Sequence, residues 1–193
     1  MCRNIKYFKQ KRMHDFLLKK RIVKECQDLG IPEQYTLVYN EIKQFLKDGN
    51  EEILNYLSTS YDKDDFNDNM LNCDNIYHFH FTKKGQRRDN ERLFVYITLD
   101  VAYIIGVYQH GSEKGRVLDR YIKLYNDYPD LFDVRKGRNK LDNEKIKYLK
   151  REFKNIEWYP LDDENEIRLK NRGYISLDGS SVLDVFLSDI FES

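Results

Sequence analysis

Apolar positions recur at helical spacing twice in the first third of the chain. From about residue 12 to 29, Met13, Phe16, Leu17, Val23 and Cys26 mark one face, and Gly30-Ile31-Pro32 supplies a stop, so a first helix with a basic outer face is expected. A second begins after Pro32, where Tyr35, Val38, Tyr39, Ile42, Phe45 and Leu46 form one stripe. Ile53, Leu54 and Leu57 continue it beyond Asp48-Gly49-Asn50. The two most simply form an antiparallel helix hairpin. Residues 4 to 8 read as a short strand ahead of it, and residues 58 to 74, poor in apolar side chains, as a solvated loop.

The period then changes to two. In Ile76-Tyr77-His78-Phe79-His80-Phe81, alternation sends His78 and His80 to one face of a strand and Tyr77, Phe79 and Phe81 to the other. One face is greasy and the other titratable. Leu93-Phe94-Val95-Tyr96-Ile97 has the content of a well-buried strand, Leu99-Asp100 makes a tight turn, and Tyr103-Ile104-Ile105-Gly106-Val107-Tyr108 completes a three-stranded antiparallel meander. His110 ends the third strand.

Beyond Gly115, Val117, Leu118, Tyr121, Ile122, Leu124 and Tyr125 predict a short helix stopped by Tyr128-Pro129. Another helix is expected over 142 to 153, strands near 167 to 169 and 173 to 177, and a closing helix over 180 to 191 with Val182, Leu183, Phe186, Leu187 and Ile190 on one side. The expected fold is α+β: an N-terminal helix hairpin packed on a small twisted antiparallel sheet within residues 1 to 125. A mixed helical and strand extension, 126 to 193, is expected to dock on that core through the apolar side of its last helix.

Charge changes this picture only through its distribution. The chain carries 33 Lys and Arg against 33 Asp and Glu, so net charge favours neither nucleic acid nor membrane. The N-terminal segment is basic through Arg3, Lys6, Lys9, Lys11, Arg12, Lys19, Lys20, Arg21 and Lys24. A second basic block runs from 135 to 154, whereas 61 to 74 and the tail beyond Glu157 are acidic. Cys2, Cys26 and Cys73 lack metal-ligand spacing and suit a reducing compartment. No apolar run is long enough for a bilayer, and the basic start has no apolar signal-peptide core, so a cytoplasmic protein is expected.

The order of elements, with a His-x-His strand, a basic turn, two apolar strands and a final His before a short helix, resembles the RelE/ParE superfamily of bacterial toxins. The resemblance covers residues 4 to about 125 and is tightest over 76 to 117. In the nuclease branch of that family the first long strand carries two basic residues at alternate positions, matched here by His78 and His80. An arginine opens the next strand, matched by Arg92, and a basic residue ends the last one, matched by His110. Where the family places a tyrosine after the last strand this chain reads Gly115-Arg116-Val117, with Tyr108 and Tyr121 as the tyrosines nearby. The resemblance implies a metal-independent endoribonuclease acting on messenger RNA, with no cofactor, catalytic residues His78, His80, Arg92 and His110, and RNA held by Lys83, Lys84, Arg87, Arg88 and Arg116. It implies RNA, the ribosome and an antitoxin protein as partners. Some members poison DNA gyrase instead.

The residue types suit that chemistry. Attack by an RNA 2′-hydroxyl needs a base for its proton, an acid for the leaving oxygen and a cation on the phosphate; histidine titrates near neutrality, and arginine offers two donors to an oxyanion. Two further readings use the same residues. His78, His80 and His110 could instead ligate zinc or iron, leaving one position for water. Alternatively the basic helices and the Tyr- and Phe-rich sheet form a non-catalytic nucleic-acid-binding or protein-interaction module, with His-x-His an ordinary solvated strand face.

Overall fold

Among the described residues, the helical spacing read across 12 to 29 does not continue as a helix beyond Leu17. In the computed structural model, which describes residues 16–58, 74–109, 116–137 and 158–170, Phe16 and Leu17 make a helical turn, the chain bends at Leu18 and Lys19, and Ile22–Glu25 is a strand, β1. The cause is Arg21. Its guanidinium donates to the carbonyl oxygens of Phe16, Leu17 (3.1 Å) and Lys19 (2.8 Å), which ends the turn, and from Nε to Thr98 (2.9 Å). Arg21 is 5% exposed. Burial draws its pKa down to about 10, and it remains charged at neutral pH.

The second apolar stripe folds as expected, with a break. Pro32 precedes a 3₁₀ turn, Glu33–Tyr35, that leads into helix α1, Thr36–Asp48. Gly49 ends the helix in the left-handed conformation at φ 65°, its N–H bonded to the Phe45 carbonyl. The stripe resumes in the 3₁₀ segment Glu51–Tyr56, capped by the Asn50 side chain. Where a hairpin of two helices was expected, α1 is present, and of the first helix the described residues hold only Phe16 and Leu17, the rest of 18 to 29 being bend, strand β1 and turn.

The meander is present. Strands β2 (Ile76–His80), β3 (Glu91–Ile97) and β4 (Val101–Gln109) pair antiparallel, and β1 joins the β4 edge in parallel, giving the order β1-β4-β3-β2. Tyr77, Phe79 and Phe81 pack with Tyr39, Ile42 and Leu46 of α1, and Leu93, Val95, Ile97, Ala102 and Ile104 complete that core. Each large apolar side chain so buried contributes roughly 1.5–3 kcal/mol before the entropy of ordering it is counted. Register shifts between Phe94 and Val95 at a β-bulge opposite Gly106, whose φ of 150° suits only glycine.

The described residues form two compact units that divide between Gln109 and Arg116. The second unit contains helix α2 (Arg116–Asp127) and a three-stranded antiparallel sheet ordered β5-β7-β6, from Phe132–Lys136, Asn165–Leu169 and Tyr159–Pro160. The sequence had shown α2 and the core of β7 but not β5. Tyr121 of α2 stacks on Tyr159 at 4.2 Å between centroids, and Tyr125 meets Phe132 edge-on at 5.5 Å. The other sheet face carries cross-strand pairs Asp133–Arg168 (2.8 Å) and Arg135–Glu166 (2.9 Å), with both guanidinium groups against the Trp158 ring. The fold is α+β. The strand expected at 4 to 8, most of the loop over 58 to 74, the helix over 142 to 153 and the elements expected beyond 171 lie outside the described residues.

Candidate active site

The face of the larger sheet that points away from α1 is built from three cross-strand rows. Ile76 lies opposite Tyr96 and Tyr96 opposite Tyr103; His78 lies opposite Phe94 and Phe94 opposite Gly106; His80 lies opposite Arg92 and Arg92 opposite Tyr108. Alternation along β2 produces this assignment. Tyr77 and Phe79 are committed to the α1 core, so His78 and His80 must share the other side.

Depth on this face is not what alternation suggests. Ile76, Phe94 and Tyr96 are buried as completely as the core beneath α1, and His80 is only 2% exposed. His78, Arg92 and Tyr108 are half-buried. The residues of the upper rows that are not fully buried are therefore His78, Arg92 and Tyr108, and even the Arg92 Nε is closed off. The rings run in contact: His80 and His78 are 6.2 Å apart, His78 and Phe94 5.9 Å, and Phe94 and Tyr108 5.6 Å. With no side chain at Gly106, Phe94 has His78 on one side and Tyr108 on the other.

The basic turn between β2 and β3 is fixed to the 3₁₀ segment beneath it. The Lys84 N–H donates to the Asn55 carbonyl at 2.8 Å, and Arg88 donates to the carbonyls of Thr82 (3.1 Å) and Leu57 (3.0 Å). Burial lowers the Arg88 pKa. Lys83 lies 3.8 Å from Glu52 and over the Tyr56 ring. Of the residues expected to hold RNA, Arg88 thus serves the turn itself, Lys83 faces a carboxylate, and Arg87 is exposed. His110 and the Arg116 side chain lie outside the described residues.

Tyr108 is the residue that sequence reasoning underweighted. The pairing set at the turn, carried on from Val95 and Ile104, would put Val107 opposite Arg92; the bulge between Phe94 and Val95 shifts the register by one and brings Tyr108 there instead, which alternation alone does not foretell. Tyr121, the other tyrosine considered, is buried against Tyr159 in the second unit. Among the described residues no three His, Cys, Asp or Glu side chains come together as a metal site. No described helix is long and apolar enough to cross a membrane. Set beside known protein families, curated proteins and solved structures, the chain matches none of them.

Proposed function

We propose that the chain is a metal-independent endoribonuclease of toxin type, cutting messenger RNA at the ribosome in the cytoplasm and restrained by an antitoxin partner. The observation that supports this reading best is the row His80–Arg92–Tyr108 with His78 one row below, which gathers imidazole, guanidinium and phenol on one rigid sheet face. In the proposed reaction a neutral imidazole takes the proton of a 2′-hydroxyl and that oxygen attacks the adjacent phosphorus. Arg92 carries the charge that grows on the phosphate. The leaving 5′-oxygen takes a proton from a second group, leaving a 2′,3′-cyclic phosphate and a 5′-hydroxyl. His78, His80 and His110 are the candidates for the two proton transfers.

The closure of His80 and the engagement of Lys83 and Arg88 within the fold favour a second reading, a module that binds nucleic acid or protein without catalysis. Expression of the wild type and of His78→Ala and Arg92→Ala in bacteria separates the two. The nuclease reading expects growth arrest with fragmented messenger RNA, both relieved in the variants. Arrest with intact messenger RNA would move the case to binding.

A further inference from the structure

The two histidines of the His-x-His strand differ in access more than in position. Both lie on the face away from α1, yet His80 is 2% exposed while His78 is half-buried. A proton transferred in the transition state needs the acid or base within hydrogen-bond reach of the substrate, directly or through one water. A ring closed to solvent does not meet that condition. His80 does, however, have Arg92 as its direct cross-strand neighbour, and side chains so placed have Cβ atoms about 4.5–5.5 Å apart. Arg92 is in turn flanked on its other side by Tyr108. A long side chain between two rings on adjacent strands has few rotamers left to it.

We infer that His80 is a positioning residue, not the acid or the base: with Tyr108 it fixes the guanidinium of Arg92, and His78 is the imidazole of β2 that meets the RNA. This assignment rests on the ribonuclease reading and divides the work within its site. It follows that, of the two imidazoles on β2, only that of His78 exchanges a proton with the RNA. The contribution of His80 would be felt through the phosphate grip of Arg92.

The test has one arm that needs no activity. Hydrogen–deuterium exchange at the imidazole C2 position, read by mass spectrometry on the full chain, reports the access of each ring. Protection of His80 by about tenfold or more relative to His78 is expected for a ring exposed only through local opening. Equal exchange would overturn the assignment. The second arm follows cleavage of an end-labelled message in a bacterial translation extract across pH 5–9. His78→Ala should remove one ionisation from the pH profile. His80→Asn should keep that ionisation while weakening binding of a non-cleavable 2′-O-methyl RNA oligonucleotide, as Arg92→Ala does. A profile that loses an ionisation in His80→Asn, with the thermal midpoint unchanged, would make His80 the proton carrier and sink the proposal. An uncut message with the wild type would end the ribonuclease reading and this role with it, a failure told apart from the others because the exchange arm still measures the closure of His80.

Discussion

Gly49 lies so close to Leu18 that a Cβ on Gly49 would sit 2.2 Å from the Leu18 carbonyl oxygen. The end of α1 and the bend before β1 are thus pressed backbone to backbone, and Gly49 also adopts the left-handed conformation. Gly49→Ala should cost about 3 kcal/mol or more, combining the left-handed penalty of roughly 1–2 kcal/mol with a clash against main chain that cannot move aside as a side chain would. Urea unfolding followed by circular dichroism measures it. A change below half that size would mean the bend yields easily.

Arg21→Leu is expected to be at least as damaging. The substitution keeps a buried side chain but deprives the Phe16, Leu17, Lys19 and Thr98 carbonyls of their charged donor. A loss on the order of 3–5 kcal/mol is expected from a broken buried network. Arg21→Lys should recover little, since one ammonium cannot reproduce a fork that reaches four acceptors. Denaturation midpoints of the two variants, compared with the wild type, check this.

Much of the larger sheet could be read in the sequence because a period of two is enough to assign faces. Tyr77 and Phe79 point to α1 and His78 and His80 away from it, as alternation requires. The strand at Ile22–Glu25 could not be read that way. Four residues, with Ile22 64% exposed, give too short a pattern to compete with the helical spacing of Phe16, Leu17, Val23 and Cys26. What decides the matter is the set of backbone carbonyls around Arg21, and carbonyls leave no mark in a sequence. The closure of His80 was hidden for a related reason: alternation gives the side of a sheet on which a residue lies but says nothing of how deeply that side is covered.

Glu25 joins β1 to α1, accepting hydrogen bonds from the Tyr39 hydroxyl and from Lys43 at 2.8 Å. Burial works against its charge, but the bonds from Lys43 and Tyr39 prevail and hold its pKa below the ordinary glutamate value. A carboxylate whose folded pKa is depressed contributes stability that is present above its unfolded pKa and is lost as pH falls through the folded one. Stability of the wild type should therefore decline below about pH 4.3, the ordinary glutamate value. Glu25→Gln should be less stable at pH 7 and show a shallower decline. Urea midpoints at pH 7, 5, 4 and 3 test this, and parallel curves for the two proteins would refute it.

Arg92→Lys should fail nearly as badly as Arg92→Ala in the messenger-RNA assay. A lysine keeps the charge but not the two parallel donors that match a phosphate, and loss of one transition-state donor of this kind typically costs about 100-fold. Message half-life after induction reads the effect. Full activity in Arg92→Lys would show that charge alone suffices.

Trp158, held against Arg135 and Arg168, is the only tryptophan of the chain. Its emission is therefore a label that evolution has already placed in the second unit and nowhere else, and the two cations against its ring make that emission sensitive to any loosening of the β5-β7-β6 face. Tryptophan fluorescence will follow that unit alone, while far-ultraviolet dichroism follows both. If the two signals unfold at different denaturant concentrations, the units melt independently and a single unfolding free energy for the chain has no meaning.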